Sequence, residues 1–280
     1  MKVFVTGKSG QLGHDVCAEL TRRGIENFGV SSKELDIRDA EAVRAMLTSY
    51  APDAVIHCAA WTKVDAAEDA VEDCFAVNEL GTRNISETCA ALGAKMLYVS
   101  TDYVFPGTGT MAYKPEDTTA PLGVYGKSKL AGELAVRAAL KEFFIVRISW
   151  VFGVNGGNFV KTMLRLSETR HTLSVVADQV GSPTYTADLA PLLCDMIETE
   201  KYGVYHASNE GFCSWAEFAE EIFRLSGREV KVNRIPTKDY PTRAVRPLNS
   251  RMDKSALEEN GFARLPAWQD ALERYLKEIL

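Results

Sequence analysis

KVFVTGKSGQLG, Lys2 to Gly13, is the stretch that decides the fold. Lys2–Thr6 is short, apolar and β-branched, which predicts a buried strand. Glycines follow at once at 7, 10 and 13, and a helical pattern then carries Leu12, Val16 and Leu20 on one face to about Arg23. Gly7 suits a tight turn, Gly10 lets a diphosphate approach the backbone, and Gly13 lets the helix pack close to the strand. The helix N-terminus adds free N–H groups and a partial positive charge. The GxxGxxG spacing differs from the GxGxxG of the dehydrogenase fingerprint, so position supplies most of the signal.

Outward from this turn, strands and helices alternate. Strands are predicted at Asn27–Val30, Ala54–His57, Met96–Ser100 and Phe143–Ile148, with helices at Ala40–Ser49, Val71–Leu92 and Tyr125–Leu140. Repeated βα units with apolar strands predict an α/β, Rossmann-like doubly wound parallel sheet. Past Trp150 the pattern loosens. Helices are expected at Asn158–Arg170 and Thr186–Thr199, short strands at Leu173–Val176 and Gly203–Ala207, and loop over Arg234–Asn249. Ser214 and Glu217 form a capping box, and the chain ends in an amphipathic helix with Trp268, Leu272, Tyr275, Leu276 and Ile279 inward. The expected division is a dinucleotide-binding domain over 1–150, rejoined near 185–210, and a smaller α/β substrate-binding lobe over 151–280.

The 280 residues are 46% hydrophobic and 25% charged with net charge −6, an ordinary globular balance that argues against nucleic acid as a partner. No apolar stretch reaches the roughly 18 residues a bilayer span needs, and the N-terminus does not read as a signal peptide. Cysteines at 17, 58, 74, 89, 194 and 213 and histidines at 14, 57, 171 and 206 show no metal spacing. The expectation is a cytoplasmic protein with reduced thiols, no metal and no membrane contact.

Three further motifs carry chemistry. After the second strand, where an acidic residue would favour the 2′-hydroxyl of NAD, stand Ser31, Ser32 and Lys33. Hydroxyls and a cation suit a 2′-phosphate, so NADPH is favoured, with NADH admitted. Asp36 lies further on, toward the adenine. Tyr125 and Lys129 form YxxxK, one helical turn apart on one face. A lysine cation there stabilises a phenolate and makes the tyrosine a proton donor or acceptor for a carbonyl or alcohol. Before it, YVSTDYVF (98–105) is a strand ending in hydroxyls, and Ser100 or Thr101 can bond the same substrate oxygen. YxxxK alone is common by chance. A glycine turn, a hydroxyl at a strand end and YxxxK, in that order, are much rarer together.

Those motifs resemble the extended short-chain dehydrogenase/reductase family, and within it the reductases of nucleotide-linked 4-keto sugars. The likeness runs through AAWTKVDAAE (59–68), VNELGT (77–82), STDYVFPG (100–107), YGKSKLAGE (125–133), ISWVFG (148–153), NFVKTML (158–164), DQVGSPT (178–184) and RPLNSRM (246–252). It implies Thr101, Tyr125 and Lys129 as the catalytic trio, and Gly7, Gly10, Gln11 and Leu12 as the phosphate turn. It implies Ala59 and Ala60 as the wall beside the cofactor, and Asp36 and Ile37 at the adenine. Trp61, Thr62 and Val64 would lie near the sugar, with Tyr103 and Trp150 against it. Arg147 reads as structural. Trp61 departs from the family pattern, where a smaller or more polar residue such as His is expected. The implied reaction is NADPH-dependent reduction of dTDP-4-dehydro-L-rhamnose, with a nucleotide-sugar substrate as partner and a homodimer left open.

The charge map adds Arg246. Seven basic residues between Arg228 and Arg251 face only Glu229 and Asp239, a +5 segment in a −6 chain. Such a segment fits a nucleotide diphosphate as well as it fits an ordinary solvated face. Two rivals share the fold. A dehydratase would want a carboxylate where Tyr103 follows Thr101–Asp102, and an epimerase would keep NAD bound through turnover. A non-catalytic regulatory subunit is the rival of another class.

Overall fold

The computed structural model describes residues Met1–Leu280. Strands β1 (Lys2–Thr6), β2 (Glu26–Val30), β3 (Ala54–His57), β4 (Lys95–Thr101), β5 (Phe143–Ile148) and β6 (Gly203–His206) form one sheet. Its spatial order is β6-β5-β4-β3-β1-β2, and every pair is parallel. The order reverses at β1: β2 lies on one side of it and β3 on the other. Ligands bind doubly wound sheets outside the carboxyl ends of their strands, at such a switch point.

Alternation along the strands explains why both faces are covered. Val3, Val5, Ile56, Leu97 and Val146 point to one layer, made chiefly by α1 (Gln11–Arg22) and helix Thr186–Ile197. Phe4, Val55, Met96, Tyr98 and Ile145 point to the other, made by helices Ala40–Tyr50, 71–92 and Val124–Ala139. Strands buried on both faces need continuous apolar runs, as the sequence shows.

A second core gathers Phe152, Val160, Met163, Phe218, Trp268, Leu272 and Tyr275 from the later half. The division does not follow the chain linearly. Thr186–Ile197 packs on α1 and β6 pairs with β5, while Leu257, Phe262 and Leu265, further on, also join the first core.

Several boundaries differ from the sequence expectations. The helix expected over 71–92 is α-helical at Val71–Phe75 and Thr82–Leu92, with a π-helical turn at Ala76–Gly81 between. Apolar periodicity reads straight through such a turn and cannot reveal it. Asn158 is the N-cap of helix Phe159–Ser167 and not its first residue, because its side chain accepts from Lys161 N. The segment expected as loop begins inside strand Lys231–Ile235, which pairs with Thr172–Val176. The Ser214–Glu217 capping box is present in both directions. No helix is long and apolar enough to cross a membrane, and all six cysteines are free thiols.

Candidate active site

A cavity of about 860 Å³ opens along the carboxyl ends of β1 to β5. Its floor at one end is the turn after β1. Gly7 has φ +76°, and a Cβ there would stand 2.8 Å from Ala59 N. A Cβ at Gly13 would stand 2.2 Å from the Gly7 carbonyl oxygen. Only glycine allows the turn, the start of α1 and the segment after β3 to meet this closely. Gly10 caps α1 with no side-chain hydrogen bond and no acidic residue in the first turn, so the helix end presents bare N–H groups. Gly7, Gly10, Gln11 and Leu12 all line the cavity here, with Ala59 and Ala60 opposite. This cradle suits an anionic diphosphate.

The end of the cavity beside β2 is bounded by Ser31, Ser32, Asp36, Ile37 and Arg38, where the sequence places the adenosine. Asp36 is paired with Arg38, whose Nε lies 2.9 Å from Oδ1 and Nη2 2.8 Å from Oδ2. That ion pair holds the Asp36 carboxyl below its ordinary value. Lys33 does not line this cavity. It borders a separate polar hollow with Lys8 and Glu34.

At the other end stand Thr101, Tyr125 and Lys129, brought together by the end of β4 and by helix Val124–Ala139. The Thr101 hydroxyl donates to Asp102 Oδ1 at 3.0 Å and accepts from Tyr103 N at 3.2 Å. Burial pushes the Tyr125 phenol well above its ordinary value, and the Thr101 hydroxyl beside it works against that shift. Tyr125 is therefore a neutral, proton-bearing phenol around pH 7. The Lys129 ammonium donates to the Val99 carbonyl at 2.7 Å and lies 4.0 Å from the centre of the Tyr98 ring. Burial pulls Lys129 down to about 7, opposed by the charge of Glu133. The sequence reading pairs Lys129 directly with the phenol. Here the lysine is anchored to β4 one layer deeper.

Thr62, Val64, Tyr103 and Trp150, expected near the sugar, line the cavity wall. Trp150 has φ +49°, a backbone state that is rare for a bulky side chain, and it stacks on Trp215 at 3.7 Å between ring centroids. Strain of this kind persists where surrounding packing over-determines it. Trp61 does not line the cavity; its indole N–H donates to the Lys63 carbonyl. Arg246 also lies outside the lining. Its guanidinium pairs with Asp65 at 2.6 Å and holds Tyr103 against the upward push of burial, which leaves that phenol at about 12. Arg243 pairs with Asp69 and Arg234 with Glu220, so much of the cationic segment is internally neutralised.

Four site-building residues escaped the sequence reading. Asn78, in the π-helical turn, accepts from Trp61 N at 2.8 Å and donates to the Trp61 carbonyl and to Ser128 Oγ. It ties the segment after β3 to helix Val124–Ala139, and an asparagine in mid-helix is the available signal. Glu133 lies one turn after Lys129, at i+4, which also marked it. It is buried and receives Arg147 through Nε at 2.9 Å and Nη2 at 2.8 Å, with Ser100 Oγ at 2.5 Å. Asp102, buried beside Thr101, has an Oδ2 without a partner, and burial lifts its carboxyl to about 6. Trp215 has no local signal, because it meets Trp150 only through the tertiary fold.

Set beside known proteins, the chain matches over residues 1–280 the family model described as the RmlD substrate binding domain. A spore coat polysaccharide biosynthesis protein, SpsK, of Bacillus subtilis (strain 168) is 42% identical over 99% of this chain and 97% of that protein. A dTDP-4-dehydrorhamnose reductase of Sinorhizobium fredii is 38% identical over 100% of this chain and 98% of its own length. Among solved structures, a dTDP-4-dehydrorhamnose reductase from Bacillus anthracis in complex with NADP superposes with TM-score 0.96 at 42% identity, covering 99% of each chain.

Proposed function

The chain belongs to the RmlD substrate binding domain family, and on that footing we propose that it reduces the 4-keto group of dTDP-4-dehydro-L-rhamnose with NADPH, giving dTDP-L-rhamnose. The observation that carries the reading is one cavity with a glycine cradle at one end and Thr101, Tyr125 and Lys129 at the other. The cradle would hold the diphosphate of NADPH through Gly7, Gly10, Gln11 and Leu12. Bound there, the dinucleotide supplies a hydride to carbon 4 of the sugar.

The chain's own residues do the rest. As hydride arrives, the carbonyl oxygen gains negative charge. Tyr125 donates its phenolic proton to that oxygen, and the Thr101 hydroxyl turns from Asp102 to hydrogen-bond the same atom. A phenol held neutral by burial is the right starting state for an acid. Lys129, fixed by Val99, places a cation near the phenolate that forms and restores its proton from solvent. Charge develops at one place, so fixed donors there act without reorganisation. Tyr103 and Trp150 form the wall against the sugar, and Thr62 and Val64 the adjoining edge. Arg246, freed from Asp65, would meet the nucleotide diphosphate.

The same reading divides the chain into a dinucleotide half, 1–150 with 185–210, and a substrate lobe over the remainder. The reaction is proposed for the cytoplasm, and light scattering tests whether the chain forms a homodimer. Incubation with (4S)-deuterated or (4R)-deuterated NADPH and dTDP-4-dehydro-L-rhamnose tests the reaction itself. One of the two labels should appear at carbon 4 of a rhamnose nucleotide. Recovery of unreduced substrate from both, with folded protein, would sink the reading.

A further inference from the structure

Beside the adenosine end of the main cavity lies a second, shallow hollow with no apolar residue in its lining. It shares Ser9 and Ser31 with the main cavity and adds Lys8, Lys33 and Glu34. Two lysines and two hydroxyls at the end of β2 form a ready seat for an extra phosphate on an adenosine ribose. Glu34 is the single carboxylate among them, and it occupies that seat. Its Oε1 accepts from Lys8 Nζ at 2.6 Å, and its Oε2 accepts from both Ser31 N and Ser31 Oγ at 2.8 Å. Glu34 N in turn donates to the Ser31 carbonyl at 3.0 Å, which closes a tight turn directly after β2. Lys8 is held there from its own backbone, whose N–H donates to the Val30 carbonyl at 3.1 Å.

We propose that Glu34 is the residue that sets discrimination between NADPH and NADH in this protein. Its carboxylate withdraws Lys8 and Ser31 from a 2′-phosphate, and it offers an acceptor to a 2′-hydroxyl. A phosphate must therefore displace Glu34 from three donors on Lys8 and Ser31 and tolerate its charge, whereas a ribose hydroxyl can donate to it where it stands. The hydrogen bonds from Lys8 and Ser31 hold the Glu34 carboxyl down to about 2, so the charge is present throughout the working pH range. Lys8 and Ser31 favour NADPH, and Glu34 moderates that preference enough to admit NADH. The proposal rests on the dinucleotide-dependent reading above.

Calorimetric titration of the whole chain, without sugar nucleotide, separates the two. The probes are NADP⁺ against NAD⁺, and 2′,5′-ADP against 5′-AMP. Glu34→Gln keeps an acceptor for the Ser31 turn but removes the charge. It should raise the ratio Kd(NAD⁺)/Kd(NADP⁺) by roughly five- to tenfold, the scale of an exposed charge contact and its like-charge counterpart. The ADP/AMP pair should move by the same factor, because the contact involves only the adenosine end. Lys8→Ala should lower both ratios and provides an independent answer if Glu34→Gln fails to fold. An unchanged ratio in folded Glu34→Gln, or in Lys8→Ala where Glu34→Gln does not fold, with both dinucleotides still binding, overturns the proposal and leaves the reductase reading intact. A wild type that binds neither dinucleotide overturns both.

Discussion

Replacing Glu133 by Gln should destabilise the protein far more than any exposed ion pair does. Glu133 and Arg147 have side chains only 1% and 3% exposed, and they meet through two parallel N–H···O contacts. Arg147 Nη1 also donates to the Pro115 carbonyl at 3.0 Å, and its guanidinium lies 4.9 Å from the Phe105 ring. Gln keeps the volume but turns one acceptor into a donor facing the guanidinium, and it leaves a buried cation without its counter-charge. Removing one partner of such a pair costs about 3–5 kcal/mol. With a urea m-value of roughly 2–3 kcal/mol/M, the unfolding midpoint falls by roughly 1–2 M. The comparison is Asp270→Asn, which removes the exposed Arg274 pair and should cost under about 1 kcal/mol. The double variant Glu133→Leu/Arg147→Met should be more stable than either single one, since no charge is left stranded. Equilibrium urea unfolding of Glu133→Gln, Asp270→Asn, the double variant and its two single components measures all of this. A Glu133→Gln midpoint indistinguishable from that of Asp270→Asn would refute the reasoning.

Stability should fall in acid. Burial lowers His57 and His206 to about 3, so between 6.5 and 3 the unfolded chain binds two protons that the folded chain refuses. Each pH unit below 6.5 then removes about 1.4 kcal/mol per histidine. Asp102, lifted to about 6, acts in the opposite sense between 6 and 3.8 and recovers part of the loss of one histidine. Melting followed from pH 7 to pH 5 should show a clear drop, and a flat profile would count against both buried histidines being neutral. Gly13→Ala puts a Cβ against the Gly7 carbonyl; it should cost about 1–3 kcal/mol and abolish NADP⁺ binding in a titration. Asn78→Ala strands Trp61 N and should cost about 1–3 kcal/mol, with a lower kcat read in the reductase assay. Unchanged kcat there would remove Asn78 from the account of how the cofactor wall is positioned.

The inner strands were readable because parallel strands covered on both faces must be apolar, and β1, β3, β4 and β5 each carry a short apolar run between turn signals; the edge strand β2, Glu26–Val30, is half-exposed and carries a weaker signal. The tight turn after β1 was readable for a related reason: glycine is the one residue whose absence of a side chain is itself the requirement. Tyr125 and Lys129 were readable as a pair from helical spacing, but the partner of the Lys129 ammonium was not. Val99 and Tyr98 are thirty residues away in the chain and reach it only through packing of the helix on β4. The π-helical turn around Asn78 hid inside an uninterrupted apolar period. The Ser31–Lys33 segment shows the limit most clearly. Its composition pointed to a cationic phosphate seat, and only the folded turn reveals that Glu34, the next residue, closes over Lys8 and Ser31. Arg246 was marked by charge, whereas its pairing with Asp65 depends on a contact between segments some 180 residues apart.

The central claim is that Tyr125 protonates the oxygen of a sugar ketone as NADPH is consumed. Its most direct test is the loss of NADPH absorbance with enzymatically generated dTDP-4-dehydro-L-rhamnose, wild type beside Tyr125→Phe. The account predicts rapid oxidation by the wild type and, in the variant, a fall in kcat of about 10²–10⁴-fold with NADP⁺ binding retained. Equal rates in the two proteins, or a folded wild type that consumes neither NADPH nor NADH, would contradict it.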